Sequence, residues 1–287
     1  MDLVEYLRAV GLSGYSSADG LDALLADVFL HGDSRSILRR TDDTMLVEYA
    51  RALGGSLSLS LRILYSTKNK ILTSDYLPFF VANNPRSYLS IEIDEIGDTG
   101  LVAIAEDAES GNELVFSIQN PMEYANETVT ISEAKVRVAG LSIGGKIILP
   151  VERDEELEEQ RQEDERTHTE LLRRARAGDV AAMEDLEQQE EATSQAIRER
   201  LADEDFLTVV EGFLMPSDDE EHIATLLGDI VAVSECINEE TGENLFILAL
   251  SVTGSYVELC INQADLEGFP SQGMRFLGSC WLQGWIE

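Results

Sequence analysis

Histidine and cysteine, the residues that most often bind metals or act as nucleophiles, are few in this sequence and widely separated. They occur at His31, His168, His222, Cys236, Cys260 and Cys280. Zinc sites usually combine ligands at short, recognisable spacings, and histidine-assisted nucleophiles need a histidine nearby. The sequence shows neither arrangement, and it has no Walker loop, G-x-G-x-x-G or H-E-x-x-H motif. We therefore predict no catalytic residue, no metal site and no cofactor from these motifs.

Carboxylates are abundant, since the chain has 55 Asp and Glu residues. Paired carboxylates can act as general acid and base or bind a divalent metal. Acidic pairs occur throughout the sequence, so the pattern singles out none of them. His222, in "DDEEHIA", has acidic neighbours that could complete a metal site, but the segment is more typical of a solvated loop. A carboxylate-based enzyme, with or without a divalent metal, therefore stays an alternative.

The chain ends near "WLQGW", which contains its only two tryptophans. Strand alternation places both indoles on one face, where they could stack on a ligand or fill a core. Polar residues occur on the neighbouring segments, so we predict a concave ligand-binding surface. Its predicted residues are Asn262, Asp265, Trp281, Gln283 and Trp285. The similar earlier segment "SIGGKI" has Ile143 in place of the first tryptophan, which favours the core interpretation.

The segment "GLSIGG" is similar to the D/N-x-S-x-x-G motif of PilZ cyclic-dinucleotide receptors. Ser142 and Gly145 match that motif, but Gly140 stands where the family has Asp or Asn. The upstream pair of arginines is also missing, because Arg86 has no second arginine four residues away. Without paired arginines a diphosphate lacks its bidentate partners. A cyclic-dinucleotide receptor is therefore a second, disfavoured alternative.

The charge of the chain is strongly negative, with 21 Lys and Arg against 55 Asp and Glu and a formal net charge of -34. Nucleic-acid backbones and anionic membranes attract cationic surfaces, so both are disfavoured as partners. No apolar run is long enough to span a bilayer, and the N-terminal sequence lacks the cationic start of a secretory signal. We predict a cytoplasmic protein whose cysteines are buried thiols in a reducing compartment.

Residues 1–150 have the pattern of an N-terminal α+β lobe. Apolar residues recur at helical spacing as far as residue 31, and from Met45 the pattern becomes the alternation typical of strands. The alternation is clearest in "SLSLSLRILY". Further strands are predicted at "ILTSDYLPFF", "LSIEIDEI", "LVAIAE", "ELVFSIQN" and "KVRVAGLSIGGKIILPV". These segments predict one largely antiparallel sheet or barrel.

Residues 151–205, the helical arm, differ sharply in composition, because they contain no aromatic residue and many Glu, Gln, Ala and Arg. The arm is predicted to form two or three solvated helices, with Asp179 as the N-cap after Gly178. It could be a surface element only, or it could bind a protein partner or a second copy of the chain.

Residues 206–287 return to alternation and predict a C-terminal small β-barrel lobe of OB-like size. "NEETGEN" and "TGS" are typical hairpin turns. The two β regions end alike, since Arg137 and Gly140 correspond to Arg275 and Gly278. The predicted fold class is therefore α+β, with two mainly antiparallel β lobes, each preceded by helices, and a possible internal duplication.

Several segments together resemble a family of bacterial proteins from clostridial Firmicutes, domain of unknown function 3881. They are "YLRAVGLSGY", "YLPFF", "LVFSIQNPMEY", "GLSIGGKIILPV", "LLRRARAGDVAAMEDL", "FLMP", "NEETGENLF", "ELCINQADLEG" and "RFLGSCWLQGWI". The resemblance covers nearly the whole chain and implies a cytoplasmic bacterial protein in which both β regions and the helical arm form one unit. It implies no activity or site residues. The sequence thus favours a non-enzymatic binding or scaffold module.

Overall fold

The computed structural model describes residues 3–41, 43–66, 68, 70–124, 129–150, 155–200, 206–210 and 212–287. The ends of the predicted helical arm, 151–154 and 201–205, lie outside the described residues. The helices are α1 Leu3–Tyr6, α2 Ala18–His31, α3 Glu155–Arg176, α4 Val180–Arg200 and α5 Phe206–Val209. Short 3₁₀ turns span Arg8–Val10, Ser13–Tyr15, Pro121–Glu123 and Gln263–Asp265.

The strands form two sheets. They are β1 Ser34–Arg39, β2 Thr44–Gly54, β3 Leu57–Ser66, β4 Ile71–Phe80, β5 Arg86–Ile96, β6 Gly100–Asp107, β7 Glu113–Ile118, β8 Val129–Ile148, β9 Phe213–Pro216, β10 Ile223–Ile237, β11 Asn244–Val252, β12 Ser255–Asn262, β13 Leu266–Glu267 and β14 Arg275–Ile286. Strands β1 to β4 form an antiparallel sheet in sequence order, and the other strands form a larger mixed sheet. The predicted α+β class is confirmed.

The larger sheet closes on itself around two long strands, β8 and β14, which pair antiparallel with each other. On one side β8, β5, β6 and β7 are antiparallel neighbours, and β7 returns to β14 through a short parallel pairing. On the other side β14, β10, β11 and β12 are antiparallel neighbours, and β12 returns to β8 in parallel. We call this larger sheet the ring sheet.

The two sides of the ring sheet have the same order and direction of strands. In each, three antiparallel strands are followed by a 3₁₀ turn, Pro121–Glu123 or Gln263–Asp265, and then by a long strand that also pairs with the opposite side. This arrangement is what an internal duplication predicts. The aligned arginines nevertheless differ in environment, since Arg137 pairs with Glu287 while Arg275 is buried.

Alternate residues of β8 and β14 face two different cores. Val138 and Leu282 lie in a core formed by strands from both β regions of the sequence. Leu141 and Trp281 lie in a second core with the N-terminal helices and the four-stranded sheet. Residues 138–142 of β8 and 280–284 of β14 are buried on both faces, and these two runs contain only apolar, small or uncharged residues. The two β regions therefore share a core.

A buried carboxylate holds the link between the two sheets. Glu258 of β12 is 2% exposed, and its carboxylate accepts hydrogen bonds from the backbone N–H groups of Asn83 and Asn84, at 2.9 and 3.0 Å. The side-chain amides of the same two asparagines also donate to it, at 3.2 and 2.6 Å. Several donors can compensate for the lost hydration of a buried carboxylate. The contact fixes where the chain passes from β4 to β5.

Candidate functional site

Four of the five residues predicted to line a ligand-binding surface contact the N-terminal segment or the four-stranded sheet, whereas Trp285 lies opposite Arg137 in the β14–β8 pair. Asn262 is at the end of β12, Asp265 is in the turn that follows it, and the other three residues belong to β14. Trp281 and Gln283 are buried, whereas Trp285 is half-buried. Contact of a ligand with these residues stays a prediction.

Trp281 fills the second core. Its side chain is 2% exposed, and its indole Nε1–H donates to Ser117 Oγ at 2.9 Å. The ring of Tyr6 meets the indole edge-on, with 5.3 Å between ring centroids, and the ring of His222 lies 6.5 Å away. Edge-on packing of this kind adds to the stabilisation that burial of a large aromatic side chain gives.

Gln283 belongs to a buried polar network between the two sheets. Its Nε2 donates to the carbonyl of Pro78 at 3.0 Å, and its Oε1 accepts from Gln119 Nε2 at 3.1 Å. The same Gln119 amide also donates to the carbonyl of Phe80, at 2.8 Å. The carbonyls lie on β4, so these glutamines join the four-stranded sheet to the ring sheet.

Asn262 and Asp265 hold the N-terminal segment, residues 3–15, against the ring sheet. Asn262 Nδ2 donates to the carbonyl of Arg8 at 3.3 Å and to Glu243 Oε2 at 2.6 Å. Asp265 accepts from Arg8 Nε at 2.7 Å, and a second oxygen pairs with the same guanidinium. Glu243 in turn accepts from the hydroxyl of Ser13 at 2.7 Å. We call this set of contacts the N-terminal seat.

Sequence reasoning missed one residue of the seat, Asn238, which is fully buried. Its Nδ2 donates to the carbonyl of Val10 at 2.7 Å, while its Oδ1 accepts from the backbone N–H of Glu240 at 2.9 Å. The neighbouring Thr241 hydroxyl donates to the carbonyl of Gly11 at 2.6 Å. Gly11 has φ +80°, and a Cβ there would lie 2.7 Å from that of Asn238. The sequence signal for this role was the position of Asn238 in the predicted hairpin loop "NEETGEN", since asparagine side chains often bond to nearby backbone in turns.

The chain matches a protein-family model over most of its length. The model described as "Domain of unknown function, E. rectale Gene description (DUF3881)" matches residues 7–284. The chain belongs to this family. No curated protein and no solved structure matches the chain. For this family member, a membrane-spanning helix is not found among the described residues, since none of their helices is both long and apolar enough.

The ionisable groups around Trp281 are held in neutral forms. Burial, together with the negative charge of Glu220, raises the pKa of Tyr6 to about 12. Burial likewise raises the pKa of Cys280 to about 12. Burial lowers the pKa of His222, although Glu220 acts in the opposite direction. At neutral pH the phenol and the thiol therefore keep their protons, so neither provides an anionic nucleophile.

Two expectations about individual side chains require correction. His222 does not lie in a solvated loop, since it is 6% exposed and packs beside Trp281. Cys260 and Cys280 are buried free thiols as predicted, whereas Cys236 is only half-buried. Over the residues that the structure describes, no group of three or more His, Cys, Asp or Glu side chains could hold a metal ion.

The motif residue Ser142 is committed to the backbone of the fold. It is fully buried, and its hydroxyl lies within hydrogen-bond distance of the carbonyls of Gly144 and Ser279, at 3.0 and 2.8 Å. Gly145 faces Gly278 across the β8–β14 pair, where the ring of Phe276 occupies the space that a Cβ of Gly145 would need. The glycines in this segment thus permit close packing.

Replacing Asn262 with alanine is expected to release the N-terminal seat locally. The variant loses bonds to Arg8 and Glu243, and we expect the free energy of unfolding to fall by about 1–3 kcal/mol. Hydrogen exchange of residues 3–15 should accelerate more than that of β14. The comparison variant is Asp265→Ala: the Asp265 side chain is 6% exposed, but the Arg8 side chain that it leaves behind is 46% exposed and can be hydrated, so we expect a cost of about 1 kcal/mol. If residues 3–15 of the Asn262 variant are as well protected from hydrogen exchange as those of the native protein, this assignment is wrong.

Proposed function

We propose that the protein is a non-enzymatic binding module of the bacterial cytoplasm that binds a protein partner through its helical arm. In this proposal residues 151–205 are a separable element, and residues 1–150 and 206–287 supply the scaffold that carries it. The observation that supports the proposal most directly is that the described part of the arm is a helical hairpin, α3 and α4, that contributes little to either core.

The chain leaves and re-enters the scaffold at one place. Arg275, which is 4% exposed, donates through Nε to the carbonyl of Leu149 at 3.1 Å. Its Nη1 donates to the carbonyls of Leu207 and Val210, at 2.8 and 3.3 Å. One guanidinium therefore joins the described residues that flank the arm on its two sides. An insertion whose ends meet in this way can be removed without separating the strands on either side.

The turn between the two helices is ordered by local contacts. Gly178 has φ +87°, the left-handed conformation typical of a residue just after a helix. Asp179 accepts hydrogen bonds from the backbone N–H groups of Ala181 and Ala182, at 3.1 and 3.3 Å, and so caps α4 as predicted. It also pairs with Arg174 near the end of α3, at 2.6 Å. The hairpin therefore has a defined tip.

The hairpin touches the ring sheet through a small contact near this tip. Arg176 donates to the carbonyl of Ala108 and to a carboxylate oxygen of Glu106, both at 3.0 Å. Among the described side chains of α3 and α4, Ala182 is the one that is buried. Val180 and Met183 are 65% and 48% exposed. These two apolar side chains, one helical turn apart on α4, are the residues through which we propose that the hairpin contacts its partner.

Removal of the arm tests this proposal. Residues 151–205 are replaced by a short Gly-Ser linker, and the free energy of unfolding is measured by denaturant titration. We expect a loss of at most about 2 kcal/mol, because few contacts disappear. Affinity purification from the native host, quantified by mass spectrometry, should lose specific partner proteins with this variant. Global unfolding of the variant would contradict the separable arm.

A surface variant separates binding from folding. Val180→Asp combined with Met183→Asp should deplete the same partner proteins as the deletion and leave thermal stability nearly unchanged. The control is Met215→Asp, which changes another methionine that is 59% exposed, on β9. Equal recovery of partner proteins with the Val180/Met183 double variant and with the Met215 control would refute the arm proposal. A rise in Tm with Mg²⁺, Mn²⁺ or Ca²⁺ would instead favour the carboxylate enzyme, since a metal that binds only the native state stabilises it.

A further inference from the structure

The N-terminal seat binds the main chain of the N-terminal segment. Four successive carbonyls, those of residues 8–11, each accept a hydrogen bond from a side chain of the ring sheet or of its β10–β11 loop. In the order of the carbonyls, the donors are Asn262 Nδ2 at 3.3 Å, Cys260 Sγ at 3.2 Å, Asn238 Nδ2 at 2.7 Å and the Thr241 hydroxyl at 2.6 Å. Bonds to the main chain are a general way in which proteins bind peptides.

Two positions of the segment are also selected by residue type. The guanidinium of Arg8 forms two hydrogen bonds with the carboxylate of Asp265. Gly11 has φ +80°, and a Cβ there would lie 2.7 Å from the Cβ of Asn238, so a side chain is disfavoured at this position. The apolar residues around them lie buried in the second core; they are Leu7, Ala9, Val10 and Leu12. The contacts therefore select the pattern apolar-Arg-small-apolar-Gly-apolar.

The seat and the segment come from opposite ends of the chain. The side chains that bind residues 8–11 lie between positions 238 and 265, whereas the segment continues into α2 through Ser16 and Ser17, which are both exposed. Ser17 caps α2 by accepting a hydrogen bond from the backbone N–H of Gly20 at 3.2 Å. Because this cap lies beyond Ser16, α2 has its own start, and the connection to the segment is short and accessible.

We propose that the N-terminal seat is a peptide-binding site and that residues 3–15 are its built-in ligand, which a segment of another protein with the same pattern can replace. The incoming segment would take the place of Tyr6 beside Trp281 and free the protein's own N-terminal segment. Tethering gives residues 3–15 an effective concentration on the order of millimolar, so replacement requires a tightly binding segment. The site is separate from the helical arm and does not depend on it.

The test cuts the tether in the folded, full-length chain. A protease site is inserted between Ser16 and Ser17, so that cleavage leaves the N-terminal segment held by non-covalent contacts alone. The probe is the acetylated peptide "LVEYLRAVGLSGYS", residues 3–16, with a fluorophore at its C-terminus. We expect the cleaved protein to stay folded by circular dichroism and to bind the probe with saturable fluorescence anisotropy. The uncleaved protein should bind it at least about tenfold more weakly.

Two glycine variants of the peptide test the geometry of the seat. Gly11→Ala should bind at least about tenfold more weakly, because its Cβ meets Asn238 and its backbone must keep a left-handed φ. Gly14→Ala is the matched control, since a Cβ there would have no described atom within 4 Å, and it should bind as well as the native peptide. In the protein, Thr241→Val removes the donor to the Gly11 carbonyl and should weaken binding by about threefold to tenfold.

Several outcomes would overturn the proposal. Unfolding of the protein on cleavage would show that residues 3–15 are an integral part of the fold. A cleaved protein that stays folded but takes up no peptide would show that the segment cannot be replaced. Equal binding of the Gly11 and Gly14 peptide variants, or equal binding to the cleaved and uncleaved protein, would place the peptide elsewhere. None of these results depends on the arm, whose deletion should leave peptide binding intact.

Discussion

Replacing Trp281 with alanine is expected to lower the free energy of unfolding by about 3–5 kcal/mol, the usual cost of removing a large aromatic side chain from a core. The indole is 2% exposed, and its removal leaves a space beside Tyr6 and His222. It also leaves the hydroxyl of Ser117 without the indole donor. Denaturant titration, with a constant m-value as the check for two-state unfolding, measures the loss.

The second tryptophan is the matched control. Trp285 lies on the same strand but is half-buried, so Trp285→Ala should cost only about 1–2 kcal/mol. Trp281→Phe keeps an aromatic ring but loses the bond to Ser117, and about 1–2 kcal/mol is expected. If Trp281→Ala costs less than the Trp285 variant, the core assignment is wrong.

The same variants test the ligand-binding surface predicted from the sequence. A stacking platform requires an accessible indole, and its removal should abolish ligand binding at little cost in stability. A core residue gives the opposite result, because the loss of stability comes first and any binding by folded protein persists. For Trp281 we expect a loss of stability, with any ligand binding by the folded protein retained. Trp285, with its half-buried ring, is the better place to look for a ligand contact.

Alternation in the sequence predicted most strands but could not show what covers them. In β3, "SLSLSLRILY" placed Leu59 and Leu61 on a buried face, and both are buried. The pattern left the opposite face for solvent, yet Ser60 and Arg62 on that face are 1% and 4% exposed. Gln119, which follows β7 of the ring sheet, supplies part of this cover, since its carbonyl accepts a hydrogen bond from Arg62. Such distant packing has no local signal.

Strand β1 was missed because its sequence, "SRSILR", has too few apolar residues for a half-buried strand. The pairing of β8 with β14 was missed for a different reason. Alternation shows that each strand has two faces, but it does not show which distant strand lies beside it. The weak repeat between the two segments did indicate related strands, and the structure places them side by side.

The candidate site shows the same limit. Asn262 and Asp265 were recognised as a polar group near the C-terminus, but their partner, Arg8, lies at the other end of the chain. A pattern of polar residues is compatible with a ligand surface or with an internal contact of the backbone. Only the three-dimensional arrangement separates these cases, because a buried polar group needs a hydrogen-bond partner and either a ligand or another part of the chain can supply it.

Replacing Arg62 with methionine is the second change expected to have a large effect. The guanidinium Nε donates to Glu48 Oε2 at 2.7 Å, and Nη2 donates to the carbonyl of Gln119 at 3.1 Å. The two side chains of the ion pair are only 5% and 16% exposed. Removal of one partner leaves a largely buried carboxylate without its cation, and we expect a loss of about 3–5 kcal/mol in unfolding free energy.

The double variant separates the cost of an unpaired charge from the net value of the pair. Arg62→Met combined with Glu48→Met removes both charges and keeps side chains of similar length. We expect it to be more stable than Arg62→Met alone, because no carboxylate is left without a partner. The difference between the double variant and the sum of the single variants gives the coupling energy. Additive losses would show that the two charges act independently.

The ion pair also positions the two sheets, which stability alone does not measure. Arg62 belongs to β3, and Gln119 follows β7, so one guanidinium links the four-stranded sheet to the ring sheet. In the double variant, methionines can fill the same space but cannot replace the directional bond to the Gln119 carbonyl. We therefore expect faster hydrogen exchange at residues 117–119 than in the native protein, with β11 unchanged. If residues 117–119 of the double variant exchange no faster than those of the native protein, apolar packing alone sets the arrangement of the two sheets.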